Sequence, residues 1–165
     1  MNAEIISVGT ELLLGQVVNT DTAIVARALS ALGINLLYSA VVGDNAERLK
    51  TAVETAITRS DLLIMTGGLG PTADDLTKET TAAAAGRKLK LHEDSLRRIQ
   101  TYFNEKHVSE NQEKQAWLPE GCTVLQNDNG TAPGCAFQAE NGCTVIMLPG
   151  PPSELAPMLE NYAVP

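Results

Sequence analysis

The sequence has few of the residues that support covalent or zinc chemistry. Its three cysteines, Cys122, Cys135 and Cys143, form no C-x-x-C pair. Its two histidines, His92 and His107, lie next to no recognisable serine or cysteine nucleophile. A disulfide framework, a zinc knuckle and acyl transfer through a catalytic triad therefore have no signature here. We expect reduced thiols in a cytoplasmic protein.

Long apolar runs are also missing. No run approaches the roughly 18 apolar residues that indicate a membrane span, and residues 1–6 carry no basic segment ahead of an apolar one. Secretion and membrane insertion therefore lack support in the sequence, and we expect no membrane partner.

Positive charge is scarce as well. Lys and Arg number 12 against 20 Asp and Glu, which gives a net charge of −8. Such a field repels nucleic acids and anionic lipids, so the sequence predicts no nucleic-acid partner. To bind an anionic small molecule such as a nucleotide, the chain would need local backbone N–H groups, a helix N-terminus or a bridging cation.

What the chain does contain is an alternation of apolar runs and segments of helical period. Its 165 residues suit one domain, since domains commonly have about 100–200 residues. Strands are predicted at residues 5–8, 34–42, 61–66, 122–125, 135–138 and 144–148, and helices at 24–32, 49–57 and 74–85. We predict a three-layer α/β/α sandwich with a mostly parallel, mixed sheet, and a polar helical insertion at residues 87–120 that flanks the site.

The strongest candidate site follows the predicted strand 61–66, because ligands of open α/β sheets bind outside the carboxyl ends of the strands. Residues 66–72 read Thr-Gly-Gly-Leu-Gly-Pro-Thr and lead into a predicted helix. The glycines allow close backbone approach, and the free N–H groups of a helix start attract an anion. A tight turn capped by Thr72 explains the same residues without a ligand. The motif is neither a Walker loop nor a dinucleotide fingerprint.

Carboxylates near this loop indicate a metal site. Asp74 and Asp75 lie at the mouth of the predicted anion site, where a divalent cation would remove the conflict of charge. As neighbours on a helix they would diverge by about 100°, so at most one is expected to face the ligand. The competing interpretations are a solvated carboxylate for Asp74 and a helix N-cap for Asp44. Glu11, after the first strand, is a candidate second metal carboxylate or part of a surface loop.

Six segments of the chain, taken in order, closely resemble the N-terminal domain of competence/damage-inducible CinA proteins. They are residues 9–20, 42–45, 66–79, 114–116, 130–134 and 148–154. This domain is similar to the molybdopterin-binding proteins MoaB, MogA and MoeA, and the resemblance implies their three-layer α/β sandwich. It further implies that residues 1–165 are a single domain and that the C-terminal amidohydrolase domain of a full-length CinA protein is absent, so we expect no deamidation.

The resemblance implies a metal-dependent hydrolase that converts ADP-ribose to AMP and ribose 5-phosphate with Mg²⁺, Mn²⁺ or Co²⁺. Two alternatives stay open: molybdopterin binding or adenylylation, and a non-catalytic module that binds a nucleotide or pterin. The molybdopterin enzymes usually have threonine at the position of Leu69, which favours the hydrolase. Their functional aspartates match Asp75 and Asp44. Members of the superfamily commonly oligomerise, which implies a dimer or trimer.

Together these expectations assign roles to individual residues. The catalytic candidates are Asp75, Asp44 and Lys114, although a solvated surface lysine is the more common explanation for a residue such as Lys114. The candidate metal ligands are Asp75, Asp74 and Glu11. A helix start near Ser153 would add a second anion contact. The substrate-binding candidates follow the predicted strands in the sequence: Thr10, Glu11, Asn19, Thr66, Gly67, Gly68, Leu69, Gly70, Thr72, Gly150, Pro151 and Ser153.

Overall fold

The computed structural model describes residues 1–165, and no helix in it has both the length and the apolar character that crossing a membrane requires. The strands are β1 Asn2–Val8, β2 Asn35–Val42, β3 Leu62–Thr66, β4 Leu89–Leu91, β5 Trp117–Pro119, β6 Thr123–Leu125, β7 Gly134–Gln138 and β8 Thr144–Leu148. The helices are α1 Thr10–Leu13, α2 Thr20–Ala31, α3 Ala46–Arg59, α4 Thr77–Ala84, α5 Glu93–Phe103, α6 Glu110–Lys114 and α7 Pro152–Met158, and a π-helical turn, Leu159–Ala163, follows α7.

Six strands form one mixed sheet in the order β2-β1-β3-β8-β7-β6. The first four run parallel, whereas β7 and β6 each run antiparallel to the neighbouring strand. Ser7 on β1 lies opposite Thr66 on β3, and Thr66 lies opposite Leu148 on β8. Three parallel strands therefore end side by side, and their carboxyl ends form one edge. The prediction of a mostly parallel mixed sheet is confirmed.

A hydrophobic core fills each face of this sheet. On one face, Leu49 and Val53 of α3 and Ala85 after α4 pack against inward residues of the central strands. On the other face, Val25 and Leu29 of α2 pack with Leu155 of α7. The predicted helix periodicity is confirmed in α2 and α3, because the residues at helical spacing are the buried ones. The result is the predicted sandwich, with α2 and α4 on opposite faces.

Two predicted elements need correction. The helix predicted from residue 74 begins at Thr77, because Asp75 binds the backbone N–H of Thr72 and holds residues 72–75 as a turn. The insertion at 87–120 is not wholly helical, since β4 and β5 pair as a small antiparallel sheet before and after α5 and α6. Pairing of Leu89 with Pro119 brings the two ends of the insertion together. This places the chain after α6 beside the start of α4.

The turn that follows β3 requires a glycine at position 67. Its φ is +86°, and a Cβ there would lie 2.5 Å from the carbonyl oxygen of Val8. Both the backbone conformation and the close approach to β1 therefore exclude a side chain. The chain can turn directly across the end of the neighbouring strand only because position 67 has none.

We expect Gly67→Ala to lower the free energy of unfolding by about 3 kcal/mol or more, since it combines backbone strain with a backbone clash. Gly142→Ala is the matched control: its φ is +91°, but nothing lies within 4 Å of a Cβ, so only the conformational cost of about 1–2 kcal/mol applies. Urea unfolding of both variants measures the difference. Equal losses would contradict the account given for Gly67.

Candidate functional site

A cavity of about 600 Å³ lies at the carboxyl edge of the large sheet. Its lining comes from the segments that leave the three parallel strands, within residues 8–21, 66–75 and 149–154, and from Asp44, Gln115 and the Thr131 turn. This volume lies within the range of about 300–1,000 Å³ that is usual for small-molecule sites. Its position is the one at which open α/β sheets bind ligands.

The glycine loop, residues 67–70, forms one wall of the cavity. The N–H of Gly67 donates to the carbonyl oxygen of Leu148 at 3.0 Å, which ties the loop to β8. The next three N–H groups, those of Gly68, Leu69 and Gly70, donate to no protein acceptor. Consecutive free N–H groups in a turn form a concave site for an anion. The loop thus has the donors that were expected of it.

Leu69 contributes to this wall through its backbone alone. Its side chain is 5% exposed and packs in the core with Val8 and Leu49. The apolar residue at this position therefore anchors the loop to the hydrophobic layer beneath it. The sequence analysis predicts Leu69 as a contact to substrate, and the burial of its side chain leaves only its main chain available for such a contact.

Asp75 lies at the end of the glycine loop with its carboxylate held in place. Its Oδ2 accepts hydrogen bonds from the N–H of Thr72 at 2.9 Å and from the hydroxyl of Thr72 at 2.7 Å. Its Oδ1 has no such partner, and Asp75 lines the cavity. Asp74, also on the cavity wall, is exposed and forms no ion pair. Of the two neighbouring aspartates, Asp75 is the fixed one.

The exits of β1 and β2 bring a second pair of carboxylates to the cavity. The N–H of Thr10 donates to Asp44 Oδ2 at 3.1 Å, and the N–H of Asp44 donates to the hydroxyl of Thr10 at 3.0 Å. Asp44 lines the cavity but Thr10 does not. The N-cap of α3 is Asn45 and not Asp44, so the capping interpretation of Asp44 is wrong. Glu11 also lines the cavity.

A chain of polar side chains connects β3, β1 and α2 next to the cavity. The hydroxyl of Thr66 donates to Ser7 Oγ at 3.2 Å, and Asn19 donates to Ser7 Oγ at 3.1 Å. Asn19 also caps α2, since it accepts the N–H of Thr22 and donates to the hydroxyl of Thr22. Thr66 and Asn19 both line the cavity. Their polar atoms are engaged in this chain of hydrogen bonds, which fixes where α2 begins.

Lys114 holds the Asp75 turn from outside the cavity. Its ammonium donates to the carbonyl oxygens of Thr72, at 3.0 Å, and Asp75, and Glu79 lies 3.7 Å away. The interpretation of Lys114 as a solvated surface lysine is therefore wrong, since its ammonium is tied to the site loop. Beneath it, Lys78 is almost fully buried and donates to the carbonyl oxygen of Lys114 at 2.8 Å. Burial lowers the pKa of Lys78 to about 8.

The exit of β8 closes the cavity from a third side. Gly150 and Pro151 line it, and a Cβ at Gly150 would lie 3.3 Å from the Cα of Gly67. The two glycine-containing exits therefore pack directly against each other. Ser153 is exposed in the first turn of α7 and does not line the cavity.

Five polar residues that were not among the candidates also line the cavity, namely Thr20, Asp21, Gln115, Thr131 and Glu154. The hydroxyl of Thr131 donates to Gln115 Oε1 at 2.7 Å, and Glu154 accepts from Asn127 at 2.7 Å. Asp21 differs from these three because its Oδ1 is buried and unpartnered. Gln115, Thr131 and Glu154 fall inside the segments that carry the family resemblance, and this was the one sequence signal available for them.

The carboxylates at the cavity suit a cation that a ligand helps to hold. No three His, Cys, Asp or Glu side chains converge to form a complete metal cage. Mg²⁺ is commonly bound through only one or two carboxylates, with phosphate and water oxygens as further ligands. The free Oδ1 of Asp75 next to three unpaired N–H groups provides such a partial set. The residues present therefore fit a divalent cation that arrives with a phosphate ligand.

The fold and the cavity define an α/β protein with an anion-binding loop at the carboxyl edge of its sheet. The family model described as "Probable molybdopterin binding domain" matches residues 4–165, and the chain belongs to this family. A CinA-like protein from Desulfovibrio desulfuricans is 59% identical over 165 residues. The match covers the whole of this chain and 39% of that protein. The resemblance to the CinA family is confirmed.

Two solved structures share this fold, and the first also supports the assignment to the CinA family. The crystal structure of the protein CinA with unknown function from Thermoplasma acidophilum superposes with a TM-score of 0.92 at 36% identity, covering 98% of this chain and 95% of that one. The molybdopterin biosynthesis enzyme MoaB from Thermus thermophilus superposes with a TM-score of 0.65 at 16% identity, covering 96% and 87%, and shows the shared fold. The chain spans about two fifths of the length of the curated relatives it matches.

We expect Lys114→Met to lower the free energy of unfolding by about 1–2 kcal/mol, because two carbonyl oxygens lose a charged donor at a partly exposed position. Lys106→Met is the control, since Lys106 is exposed and its ammonium forms no hydrogen bond or ion pair. Urea unfolding at neutral pH measures both. An unchanged stability for Lys114→Met would show that its contacts do not hold the turn.

Asp21→Asn should stabilise the chain near neutral pH. Burial raises the pKa of Asp21 from 3.8 to about 6, so between these values the folded state keeps a proton that the unfolded state has lost. Stability therefore falls as the pH rises through this window, and the ionised carboxylate is a cost at pH 7. Because Asp21 is half-buried, we expect a gain of about 1 kcal/mol in Asp21→Asn at pH 7, and none near pH 3.

Urea unfolding of both proteins from pH 3 to pH 7 measures this difference. Asp94→Asn is the matched control, because Asp94 is also the second residue of its helix but is exposed and paired with Arg97. A gain of the same size at every pH would contradict the assignment of the raised pKa to Asp21.

Proposed function

We propose that the chain is a metal-dependent hydrolase that cleaves the pyrophosphate of ADP-ribose or a closely related dinucleotide. The observation that carries this proposal is the juxtaposition at the β3 exit. Three consecutive free N–H groups, those of Gly68, Leu69 and Gly70, lie beside a fixed carboxylate, Asp75, with one oxygen free. Donors for phosphate oxygens next to an acceptor for a cation are the two requirements of phosphoryl transfer.

The glycine loop would bind the phosphate oxygens through its N–H groups, because no side chain stands between the backbone and the ligand. These donors cost no reorganisation on binding, since the loop is fixed by Gly67 at β8 and by Leu69 in the core. Preorganised donors stabilise charge that develops on phosphoryl oxygens in the transition state. The loop is thereby suited to the transition state as well as to the substrate.

Asp75 would hold a divalent cation through its free Oδ1, with Asp74, Glu11 and Asp44 as further carboxylates on the cavity wall. Bound Mg²⁺, Mn²⁺ or Co²⁺ supplies charge neutralisation at the phosphoryl oxygens and lowers the pKa of the attacking water. One water is consumed, and the products are AMP and ribose 5-phosphate. Lys114 acts as a positioning residue, because its ammonium contacts the backbone of the Asp75 turn.

The experiment is an assay for AMP with ADP-ribose and each of Mg²⁺, Mn²⁺ and Co²⁺. We expect AMP release with at least one metal, and a loss of about 100-fold or more in kcat/KM for Asp75→Asn, because removal of one such electrostatic contact costs on that order. Asp94→Asn, in α5 and outside the cavity, should retain the rate of the unmodified chain. Absence of AMP with all three metals, or full activity in Asp75→Asn, would refute the proposal.

A second candidate function is molybdopterin binding or adenylylation at the same cavity. The family description and the fold shared with MoaB favour it. The core position of Leu69 weighs against it, because the loop offers no side-chain hydroxyl at that point. Calorimetry with molybdopterin separates the two candidates: tight binding without turnover of ADP-ribose supports a binding module, and ATP consumption only in the presence of the pterin supports adenylylation.

A further inference from the structure

Asp21 is a polar residue of the cavity to which the proposed hydrolysis gives no role. It is the second residue of α2 and lines the cavity next to Asn19. Its Oδ1 is buried and accepts no hydrogen bond. A buried oxygen without a donor costs free energy of about 1–3 kcal/mol, and more when it is charged. A ligand that supplies a donor at this point would recover that cost.

Asp21 and Asp75 belong to elements in different layers of the sandwich. Asp21 stands on α2, whose residues Val25 and Leu29 pack on one face of the sheet. Asp75 precedes α4, which is followed by Ala85 in the core of the other face. The two carboxylates therefore approach the same edge from different layers of the sandwich. A ligand that contacts both must extend across the ends of the strands.

The start of α2 is a rigid support for such a contact. Asn19 is joined to Ser7 and Thr22, and Ser7 is joined to Thr66 on β3. These bonds link the N-terminus of α2 to the strand from which the glycine loop leaves. The position of Asp21 relative to that loop is thus fixed by hydrogen bonds and does not depend on a mobile segment.

The electrostatic surroundings identify which ligand group suits Asp21. The other charged groups that line the cavity are all acidic: Glu11, Asp44, Asp74, Asp75 and Glu154. The glycine loop offsets the repulsion of a phosphate with its free N–H groups, whereas Asp21 presents a carboxylate, which repels a phosphate at its own position. An uncharged group with two adjacent O–H donors satisfies both carboxylate oxygens without adding charge. Carboxylates bind ribose hydroxyls in this way in dinucleotide sites of other α/β sheets.

We propose that Asp21 is the centre of a ribose-binding subsite, where its carboxylate accepts hydrogen bonds from the vicinal 2′- and 3′-hydroxyls of a ribosyl group whose phosphate lies at the glycine loop. This inference deepens the proposed function and rests on its assignment of phosphate to that loop. It assigns the two ends of the cavity to two parts of one ligand. The subsite then favours ligands with a ribose over ligands that carry a phosphate alone.

The test compares ligands that differ only in the diol. Binding is measured with Mg²⁺ present, because none of the ligands is the proposed substrate, and is repeated in EDTA. ADP and 2′,3′-dideoxy-ADP probe the adenosyl ribose, and ribose 5-phosphate and 2-deoxyribose 5-phosphate probe the terminal ribose. Calorimetry should show that the unmodified chain binds the complete diol about 10- to 100-fold more tightly in at least one of the two pairs, the range expected for hydrogen bonds to a charged acceptor.

Asp21→Ala should bind both members of that pair equally, at the affinity of the deoxy ligand for the unmodified chain. Asp94→Asn should discriminate as the unmodified chain does. Discrimination should also strengthen as the pH rises from 5 to 7, because the hydroxyls bind the ionised carboxylate, and this change should be absent in Asp21→Asn. The titration of the ligand phosphate is common to all the proteins and cancels in the comparison.

Equal binding of diol and deoxy ligands by the unmodified chain, or no measurable binding of any of the four ligands, would overturn the subsite. Diol discrimination that persists in Asp21→Ala would overturn it too. These results are distinct from failure of the proposed hydrolysis. Discrimination that depends on Asp21, in a chain that releases no AMP with any metal, would keep the subsite and refute the enzyme. AMP release by a chain that binds diol and deoxy ligands equally would keep the enzyme and refute the subsite.

Discussion

The close passage of the backbone where three parallel strands end is the constraint on which the rest of the site depends. A Cβ at Gly67 would lie 2.5 Å from the Val8 carbonyl oxygen, and one at Gly150 would lie 3.3 Å from the Cα of Gly67. The segments that leave β1, β3 and β8 can approach this closely only because positions 67 and 150 have no side chain. Because they meet, the N–H groups that follow Gly67 have no protein acceptor and line the cavity. Tight packing at this edge thus produces the donors that an anion needs.

The sequence predicted the fold well because hydrophobic periodicity records which face of each element is buried. The runs that became β3 and β8 are apolar on both sides, and the structure buries them between helix layers. The start of α4 was harder to place, because Asp74 and Asp75 are both acceptable in a first helical turn. The side chain of Asp75 binds the N–H of Thr72 and delays the helix to Thr77. Whether the chain forms a turn or a helix here depends on the hydrogen bond of the Asp75 side chain, which cannot be read from residue types alone.

The glycine loop and its aspartate could be predicted because their chemistry is local to one segment. Lys114 was a catalytic candidate, but its contact with the Asp75 turn could not be predicted, since it lies 39 residues beyond Asp75 in the sequence and reaches it through the pairing of β4 with β5. Asp21 is similar, because its position as the second residue of α2 equally suits a solvated residue. Its burial arises from the packing of α2 against the sheet. Residues whose role depends on such long-range contacts carry no signature in their own neighbourhood.

An acidic chain can present an anion site because the positive field comes from peptide groups. Lys114 supports this arrangement from outside the cavity. Its ammonium binds the carbonyl oxygens of Thr72 and Asp75. The lysine therefore holds the turn that carries Asp75 through its backbone. Its positive charge is used at this turn, so the charged side chains that line the cavity are all carboxylates.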